Sequence, residues 1–429
     1  MPEEIIEADL TFTGEGFEPG VQVAVGADGR IAAAGRLGRT PTRRLEGQAL
    51  LPGFVNVHSH AFQVGLRGRG ETFPSGAGDF WSWRREMYSL VEALDPDGFH
   101  MLSLLAFREM RAAGITTVGE FHYLHHGKGE DFALDEVVLD AAAEAGIRLV
   151  LLQTFYAMGG IGKPLAGAQE RFAVRSAEAY WKQFDRLAPG LDPDLQSLGV
   201  AVHSVRAASL DDVAAIHREA RRRRLVFHMH VEEQPKEVEE CVAAHGAPPM
   251  RLVLDRLKID SAFTAVHGTH TAGEDLDRFA AAGGNLCVCP LTEANLGDGI
   301  PDLPRFRAAG GRISLGTDGN ARISMLEEMR WLEYTQRLAC RARGILRGEK
   351  GSVALPLLRA ATADGARALG VEVGAIEPGR WADFVAVDLG PPLYRNLTQD
   401  DLPVALVFGC SEQAISATCV AGAWVSHRP

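Results

Sequence analysis

The stretch LPGFVNVHSHAFQ, residues 51–63, is an apolar run that ends with two histidines, His58 and His60. A short run of this composition predicts a buried β-strand. Side chains two positions apart lie on the same face of a strand, so both imidazoles should point in the same direction. A single buried histidine is commonly a hydrogen-bonded core residue, whereas a histidine pair at a strand end is typical of a metal site.

The middle of the chain repeats this pattern of a short apolar run followed by a polar residue. Apolar runs occur at 51–57, 115–120, 147–152, 198–202, 225–229, 263–266, 285–289 and 312–316, with helical stretches between them. Eight strands that alternate with helices predict an α/β fold, a (β/α)8 barrel of TIM type, whose active site lies at the C-terminal ends of the strands. Six of the runs lead into side chains that bind metals or move protons, namely His58 and His60, Glu120 to Tyr123, His203, His230, His267 and Asp318.

Both ends of the chain are rich in short β segments separated by glycine. VQVAVGADGRIAAA (21–34) has the form of a hairpin, and GRWADFVAVDLG (379–390) and EQAISATCVAGAWVSHRP (412–429) have the same character. We therefore predict that residues 1–50 and 370–429 form a small, discontinuous β-sandwich domain. Residues 51–369 then form the catalytic barrel.

The composition is that of a soluble protein with a large core, since 46% of the 429 residues are hydrophobic and 23% are charged. A formal net charge of -12 provides no general attraction to nucleic acid or to an anionic membrane. The six cysteines form no CxxC pair, and the N-terminus lacks the features of a signal peptide. We expect a cytoplasmic protein that acts on a small molecule.

Four of the polar residues at strand ends form a set of metal donors. His58, His60, His230 and Asp318 supply three nitrogens and one oxygen, which suits zinc or a similar divalent ion and leaves a position for water. Asp318 would also accept a proton from that water, because the metal lowers its pKa. His267 is a further ligand or a proton carrier, and Glu233 is either a general acid/base or a carboxylate favoured by a helix dipole.

This set, flanked by β segments from both termini, resembles the amidohydrolase superfamily. Several longer stretches are similar to the formimidoylglutamate deiminases of that superfamily, among them HSHAFQ (58–63), FWSWRREMY (80–88), HMHVEEQPKEVEEC (228–241) and TEANLGDGI (292–300). The resemblance implies a homodimeric enzyme of histidine degradation that hydrolyses N-formimino-L-glutamate to N-formyl-L-glutamate and ammonia. It also implies one divalent metal ion, expected to be Zn2+.

The same resemblance assigns roles to individual residues. Asp318 and His267 would act on the attacking water, and Glu233 would protonate the departing nitrogen. The positions that match substrate contacts in the family are Gln63, Arg84, Tyr123, His203 and Arg206. Two arginines suit a dicarboxylate because a guanidinium binds a carboxylate through two parallel hydrogen bonds.

One segment departs from the family pattern. After Asp318 the chain reads GNARIS (319–324), in which Asn320 replaces an expected histidine and Arg322 adds a cation near the mouth of the barrel. This departure leaves open a shorter, longer or differently substituted formimino acid.

Two other functions remain as alternatives. An aminohydrolase of a purine, pterin or triazine ring would keep the metal set but would need aromatic stacking in place of Arg84 and Arg206. A binding or scaffold protein on a decayed barrel should have lost a metal ligand, whereas all four are present.

Overall fold

The computed structural model describes residues 3–71, 73, 78, 80–127, 129, 131–390, 394 and 397–427. Two eight-stranded sheets account for the strands of these residues. In chain order the strands are β1 (Glu4–Phe12), β2 (Phe17–Glu18), β3 (Gln22–Val25), β4 (Ile31–Gly35), β5 (Arg43–Pro52), β6 (Phe54–Ser59), β7 (Ile115–His122), β8 (Arg148–Phe155), β9 (Gln196–Val202), β10 (Phe227–Val231), β11 (Phe263–His267), β12 (Asn285–Val288), β13 (Arg312–Leu315), β14 (Phe384–Asp388), β15 (Ile415–Val420) and β16 (Ala423–Ser426).

Strands β6 to β13 form the predicted barrel. Each strand pairs in parallel with the next one along the chain, and each of the eight predicted apolar runs overlaps one of these strands; the first run, 51–57, also includes the last two residues of β5. Their residues are almost all buried, as expected for a parallel sheet that helices cover on its outer face. The (β/α)8 prediction is confirmed.

Helices connect the barrel strands and cover them. They are α1 (Phe80–Ala93), α2 (Pro96–Ala112), α3 (Ala133–Ala145), α4 (Ala177–Leu187), α5 (Leu210–Arg223), α6 (Pro235–His245), α7 (Pro249–Arg256), α8 (Gly273–Ala281), α9 (Pro290–Leu296), α10 (Leu303–Ala308), α11 (Met325–Cys340), α12 (Ala354–Ala360), α13 (Ala363–Leu369) and α14 (Leu402–Gly409). Across the described part of the chain, none of these helices has the length and apolar character needed to span a bilayer.

The terminal strands form one mixed sheet in the order β16-β15-β14-β5-β1-β3-β4, with β2 paired to β1. The predicted hairpin is present as β3 and β4. A separate apolar core, which includes Ile6, Val23, Leu50 and Phe384, lies within this sheet. Helix α14 belongs in sequence to the C-terminal segment but packs with the barrel, where its residues Leu402 and Leu406 join the main core.

A buried ion pair joins the sheet to the bottom of the barrel. Arg148 is the first residue of β8, and its Nε and Nη2 donate to the two carboxylate oxygens of Asp383 at 2.7 and 3.0 Å. The side chains are only 5% and 1% exposed. Asp383 also accepts the backbone N–H of Ala421, so one carboxylate links the barrel to the start of β14 and to the turn between β15 and β16.

Candidate active site

Four side chains meet at the C-terminal end of the barrel: His58, His60, His230 and Asp318. One donor atom of each lies within 4.8 Å of the others, and all four residues are buried. They meet because β6 pairs with the segment that follows β13. The N–H of His60 donates to the carbonyl of Asp318 at 2.9 Å, and the N–H of Asp318 donates to the carbonyl of His58 at 2.9 Å. Closure of the barrel therefore brings Asp318 next to His58 and His60.

The imidazoles are oriented by hydrogen bonds on their far sides. His60 and His230 each donate the Nδ1 hydrogen to a backbone carbonyl at 2.9 Å, which leaves the Nε2 lone pairs facing inward. The Nε2 atoms of His230 and His58 are 3.1 Å apart. Those of His58 and His60 lie 3.4 and 3.3 Å from Oδ1 of Asp318. Lone pairs that converge beside a carboxylate fit a divalent cation.

The electrostatics of the group favour the ligand forms of these residues. Burial and the neighbouring His58 lower the pKa of His60 to about 3. Burial alone would raise the pKa of Asp318, but the hydrogen bond from His58 and the fields of His58, His60 and His267 outweigh it and hold that pKa below its usual range. Neutral imidazoles and an ionised carboxylate are the forms that bind metals.

His267 ends β11 and lies between carboxylates. Its Nε2 is 3.7 Å from Oδ2 of Asp318 and 3.9 Å from Oε1 of Glu233, and its Nδ1 is 3.2 Å from Oε1 of Glu293. Burial lowers the pKa of His267, but Glu233, Glu293 and Asp318 outweigh it and raise the pKa well above its usual value. With φ at 74°, His267 occupies the left-handed region, a strained backbone of the kind found at functional sites.

Glu293 was not identified as a site residue from the sequence. It lies in the first turn of α9, is 4% exposed and also accepts the backbone N–H of Cys289 at 3.0 Å. The available signal was its place in TEANLGDGI, directly after the seventh barrel strand. A carboxylate on Nδ1 fixes the ring of His267 so that Nε2 faces the metal donors.

Arg206 and Glu233 form a buried ion pair beside the four candidate metal ligands. Nη2 of Arg206 is 3.4 Å from Oε2 of Glu233, and Nε is 3.8 Å from Oε1 of Glu237. Both Nε and Nη1 of Arg206 are buried without a hydrogen-bond partner among the described residues. Glu237 accepts the backbone N–H of Glu233 at 3.3 Å, so it supports both members of the pair.

A cavity of about 50 Å3 opens onto these residues, and every predicted substrate contact lines it: Gln63, Arg84, Tyr123, His203 and Arg206. Gln63 donates to the hydroxyl of Tyr123 at 2.8 Å, and Arg84 donates to the hydroxyl of Tyr156 at 3.2 Å. Burial, together with Arg206 and Arg84, lowers the pKa of His203 well below its usual value. Glu233 and Asp318 also line the cavity, so the donors, the candidate acid and the arginines share one space.

The two residues of the departing segment do not line this cavity. Asn320 is buried and donates to Ser59 and to the carbonyl of His60, both at 3.1 Å, so it supports the strand that carries the histidine pair. Arg322 is half exposed and pairs with Glu327 at 2.7 Å on the outside of the barrel. The expected cation at the mouth is therefore a surface residue.

A second histidine group lies outside the cavity lining. Asp135 accepts from His122 at 2.9 Å, from His125 at 2.7 Å and from Gln183 at 2.7 Å, and all of these side chains are buried. Its carboxylate is thus already hydrogen-bonded by neighbours. His122 and His125 are therefore buried side chains held by hydrogen bonds within the fold.

A closed parallel barrel with buried imidazoles, carboxylates and arginines around one cavity defines an enzyme. The sequence model of the amidohydrolase family matches residues 49–425, and the chain belongs to that family of hydrolases. Formimidoylglutamate deiminase of Pseudomonas aeruginosa is 36% identical over 427 residues, which cover 98% of this chain and 94% of the relative.

Two solved structures share the whole fold. An amidohydrolase from Brucella melitensis is 33% identical, with a TM-score of 0.89 over 98% of this chain and 94% of that one. An adenosine deaminase from Xanthomonas campestris with bound zinc is 25% identical, with a TM-score of 0.81 over 99% and 93% of the two chains.

Proposed function

We propose that this chain hydrolyses N-formimino-L-glutamate to N-formyl-L-glutamate and ammonia, in the cytoplasm and as a step of histidine degradation. The observation that carries the proposal is the buried guanidinium of Arg206, which lines the cavity and whose Nη1 has no hydrogen-bond partner among the described residues. Glu233 and Glu237 lie beside Nη2 and Nε, so Nη1 remains a buried donor that a substrate carboxylate can satisfy. The name of the Pseudomonas relative agrees with this substrate.

The donor set fits one divalent metal ion, and the zinc in the related adenosine deaminase structure supports Zn2+. His58, His60, His230 and Asp318 would hold it. Such an ion lowers the pKa of water towards neutrality and makes a nucleophile available. The rest of the reaction depends on the protein's own proton carriers.

Hydrolysis of the amidine needs a proton removed from water and a proton given to the leaving nitrogen. Asp318 accepts the proton of the attacking water, while Nε2 of His267, 3.7 Å from Asp318, donates a hydrogen bond to the attacking oxygen. The C–O bond forms first, as the C=N double bond becomes single. The hydroxyl of this tetrahedral adduct then loses its proton, the formyl C=O forms and the terminal C–N bond breaks, so both protons of the water end on the ammonia. Oε1 of Glu233 lies 3.9 Å from the same Nε2 atom, and Glu233 transfers a proton to the departing nitrogen, which leaves as ammonia.

Recognition of the glutamate part uses the far wall of the cavity. Arg206 and Arg84 bind the carboxylates; the hydroxyl of Tyr156 lies next to Arg84, and that of Tyr123 next to Gln63. The carboxamide oxygen of Gln63 has no hydrogen-bond partner among the described residues and accepts from a substrate N–H. His203 completes the wall as a neutral hydrogen-bonding group.

Ammonia release from three substrates tests the proposal against the alternatives. Purified protein should release ammonia fastest from N-formimino-L-glutamate, more slowly from N-formimino-L-aspartate and not measurably from guanine. Faster release from guanine would favour the ring-binding alternative over carboxylate binding by Arg84 and Arg206. The cavity also has aromatic walls, such as Phe80 and Phe172, on which a ring could stack. No turnover of either formimino acid by metal-loaded protein would overturn the proposal.

We also propose a homodimer and a reducing compartment. The homodimer rests on the resemblance to the formimidoylglutamate deiminases, and light scattering coupled to size-exclusion chromatography should give twice the mass of the chain, 46.3 kDa. A monomeric mass would contradict it. All six cysteines are free thiols, which agrees with a reducing cytoplasm.

A further inference from the structure

A second cavity, of about 610 Å3, lies at the opposite end of the barrel from the catalytic donors. Its walls come from the turn after β1, the end of α10, the start of β13, the loop after α11, and helix α12. Arg312 begins β13 here, whereas Asp318 follows the other end of the same strand. The two cavities share no lining residue and are separate sites.

Two guanidiniums line this cavity without a matching carboxylate. Nε of Arg312 is buried and has no hydrogen-bond partner among the described residues. Arg307 is partly buried, and its Nη2 makes one long hydrogen bond, 3.4 Å, to the carbonyl of Arg347. Burial lowers the pKa of Arg307, and the carboxylates of Glu333 and Asp364 offset this only in part.

The acidic residues around the cavity are engaged elsewhere or exposed. Asp364 uses its two oxygens for Arg359 and Arg367, each at 3.1 Å. Glu15 pairs with Lys350 at 2.7 Å. Glu349 is exposed at the rim. The interior of the cavity therefore has an excess of positive charge.

The remaining wall is apolar. Ile313, Leu332, Leu346 and Leu357 are each less than 9% exposed and face the same space. An ion alone would leave this surface without contact, whereas an organic molecule with an acidic group would use both parts. Guanidiniums suit planar or tetrahedral oxyanions because they offer paired donors.

We propose that this cavity binds a small organic anion, with a carboxylate or phosphate group on Arg307 and Arg312 and a carbon skeleton against the leucines. The site is independent of the catalytic cavity and of the proposed substrate. Carboxylates and phosphate esters share the chemistry that the arginines recognise, so the experiment uses one probe of each kind.

Isothermal titration calorimetry on the metal-loaded enzyme, at constant ionic strength, tests the proposal with citrate, glycerol 2-phosphate and glycerol. At least one anion should bind and glycerol should not. Arg312→Gln and Arg307→Gln should each weaken that binding about tenfold or more, as expected when a charged hydrogen bond is lost. Arg343→Gln, which changes an exposed arginine outside the cavity, should bind as the wild type does.

An active-site variant separates the two cavities. Arg206→Gln should still bind the anion, because Arg206 lines only the catalytic cavity of the two. The proposal is overturned if neither anion binds the wild type, or if Arg206→Gln abolishes binding while Arg312→Gln and Arg307→Gln do not. Circular dichroism of every variant, and ammonia release from the Arg312→Gln, Arg307→Gln and Arg343→Gln variants, establish that the barrel is folded. Arg307→Gln tests the site by itself if Arg312→Gln is unstable.

Discussion

Replacement of Arg206 by methionine tests whether this arginine binds a substrate carboxylate. Methionine keeps much of the apolar volume of the side chain but removes the charge and all of the donors. Nη1 has no partner and Nη2 has a second hydrogen besides the one near Glu233, so a substrate carboxylate bound across these two nitrogens would gain two charged hydrogen bonds. Each such bond contributes about 1.5–3 kcal/mol. Two at the lower value amount to about 3 kcal/mol, which is a loss of about 100-fold or more in kcat/KM.

Arg206 also lies 3.4 Å from Glu233, so part of the loss could come from a disturbed proton donor. A neutral amidine such as formamidine separates the two effects, because it needs Glu233 but has no carboxylate. Steady-state ammonia release should therefore show a much larger loss with N-formimino-L-glutamate than with formamidine. Arg322→Met, at a half-exposed position outside the cavity, should leave both activities unchanged. Equal losses of kcat/KM for the two substrates in Arg206→Met would refute carboxylate binding by Arg206.

Four further outcomes follow from the structure. Glu293→Gln should lower kcat about 10- to 100-fold with little change in KM, because the ring of His267 loses its carboxylate partner; an unchanged kcat would exclude that role. Treatment with dipicolinate should abolish ammonia release and Zn2+ should restore it, whereas full activity of metal-free protein would contradict the proposed metal site. Asp383→Ala should destabilise the protein by about 3–5 kcal/mol in urea unfolding, because the charge of Arg148 stays buried without its partner; a loss under about 1 kcal/mol would contradict this. As the pH falls below about 4, the free energy of unfolding should decrease less in Asp135→Asn than in the wild type. Parallel acid-unfolding curves for the two proteins would contradict this.

The sign of the last prediction follows from the surroundings of Asp135. Burial raises its pKa, but the charges and hydrogen bonds of His125 and His122 outweigh this and hold the pKa below its usual range. A depressed carboxyl pKa contributes stability that is present above the unfolded-state value, about 3.9, and is lost as the pH falls through the folded value. Asparagine does not titrate, so the variant lacks that dependence.

Much of the fold could be predicted from local patterns. The apolar runs identified all eight barrel strands, and strand alternation placed His58 and His60 on one face. The rule that active sites lie at the C-terminal strand ends selected His230, His267 and Asp318. These predictions succeeded because they depend on the two-residue period of a strand and on the direction of the chain.

Contacts between distant segments could not be predicted in the same way. Glu293 and His267 are 26 residues apart and belong to different strand–helix units. Asn320 and Arg322 follow the last barrel strand in one short segment, yet one supports the histidine strand and the other lies on the surface. Their positions depend on how the loop turns after Asp318, which the residue types do not specify.

The sequence by itself determined which residues end the barrel strands and therefore which donors face its mouth, because side-chain alternation and strand direction are local properties of the chain. Only the tertiary structure decided that the Asp318 segment pairs with β6, that Arg206 retains unused donors, and that Arg307 and Arg312 line a second cavity. Each of these depends on barrel closure, which brings together groups that the chain separates by many residues and fixes their distances, burial and charge.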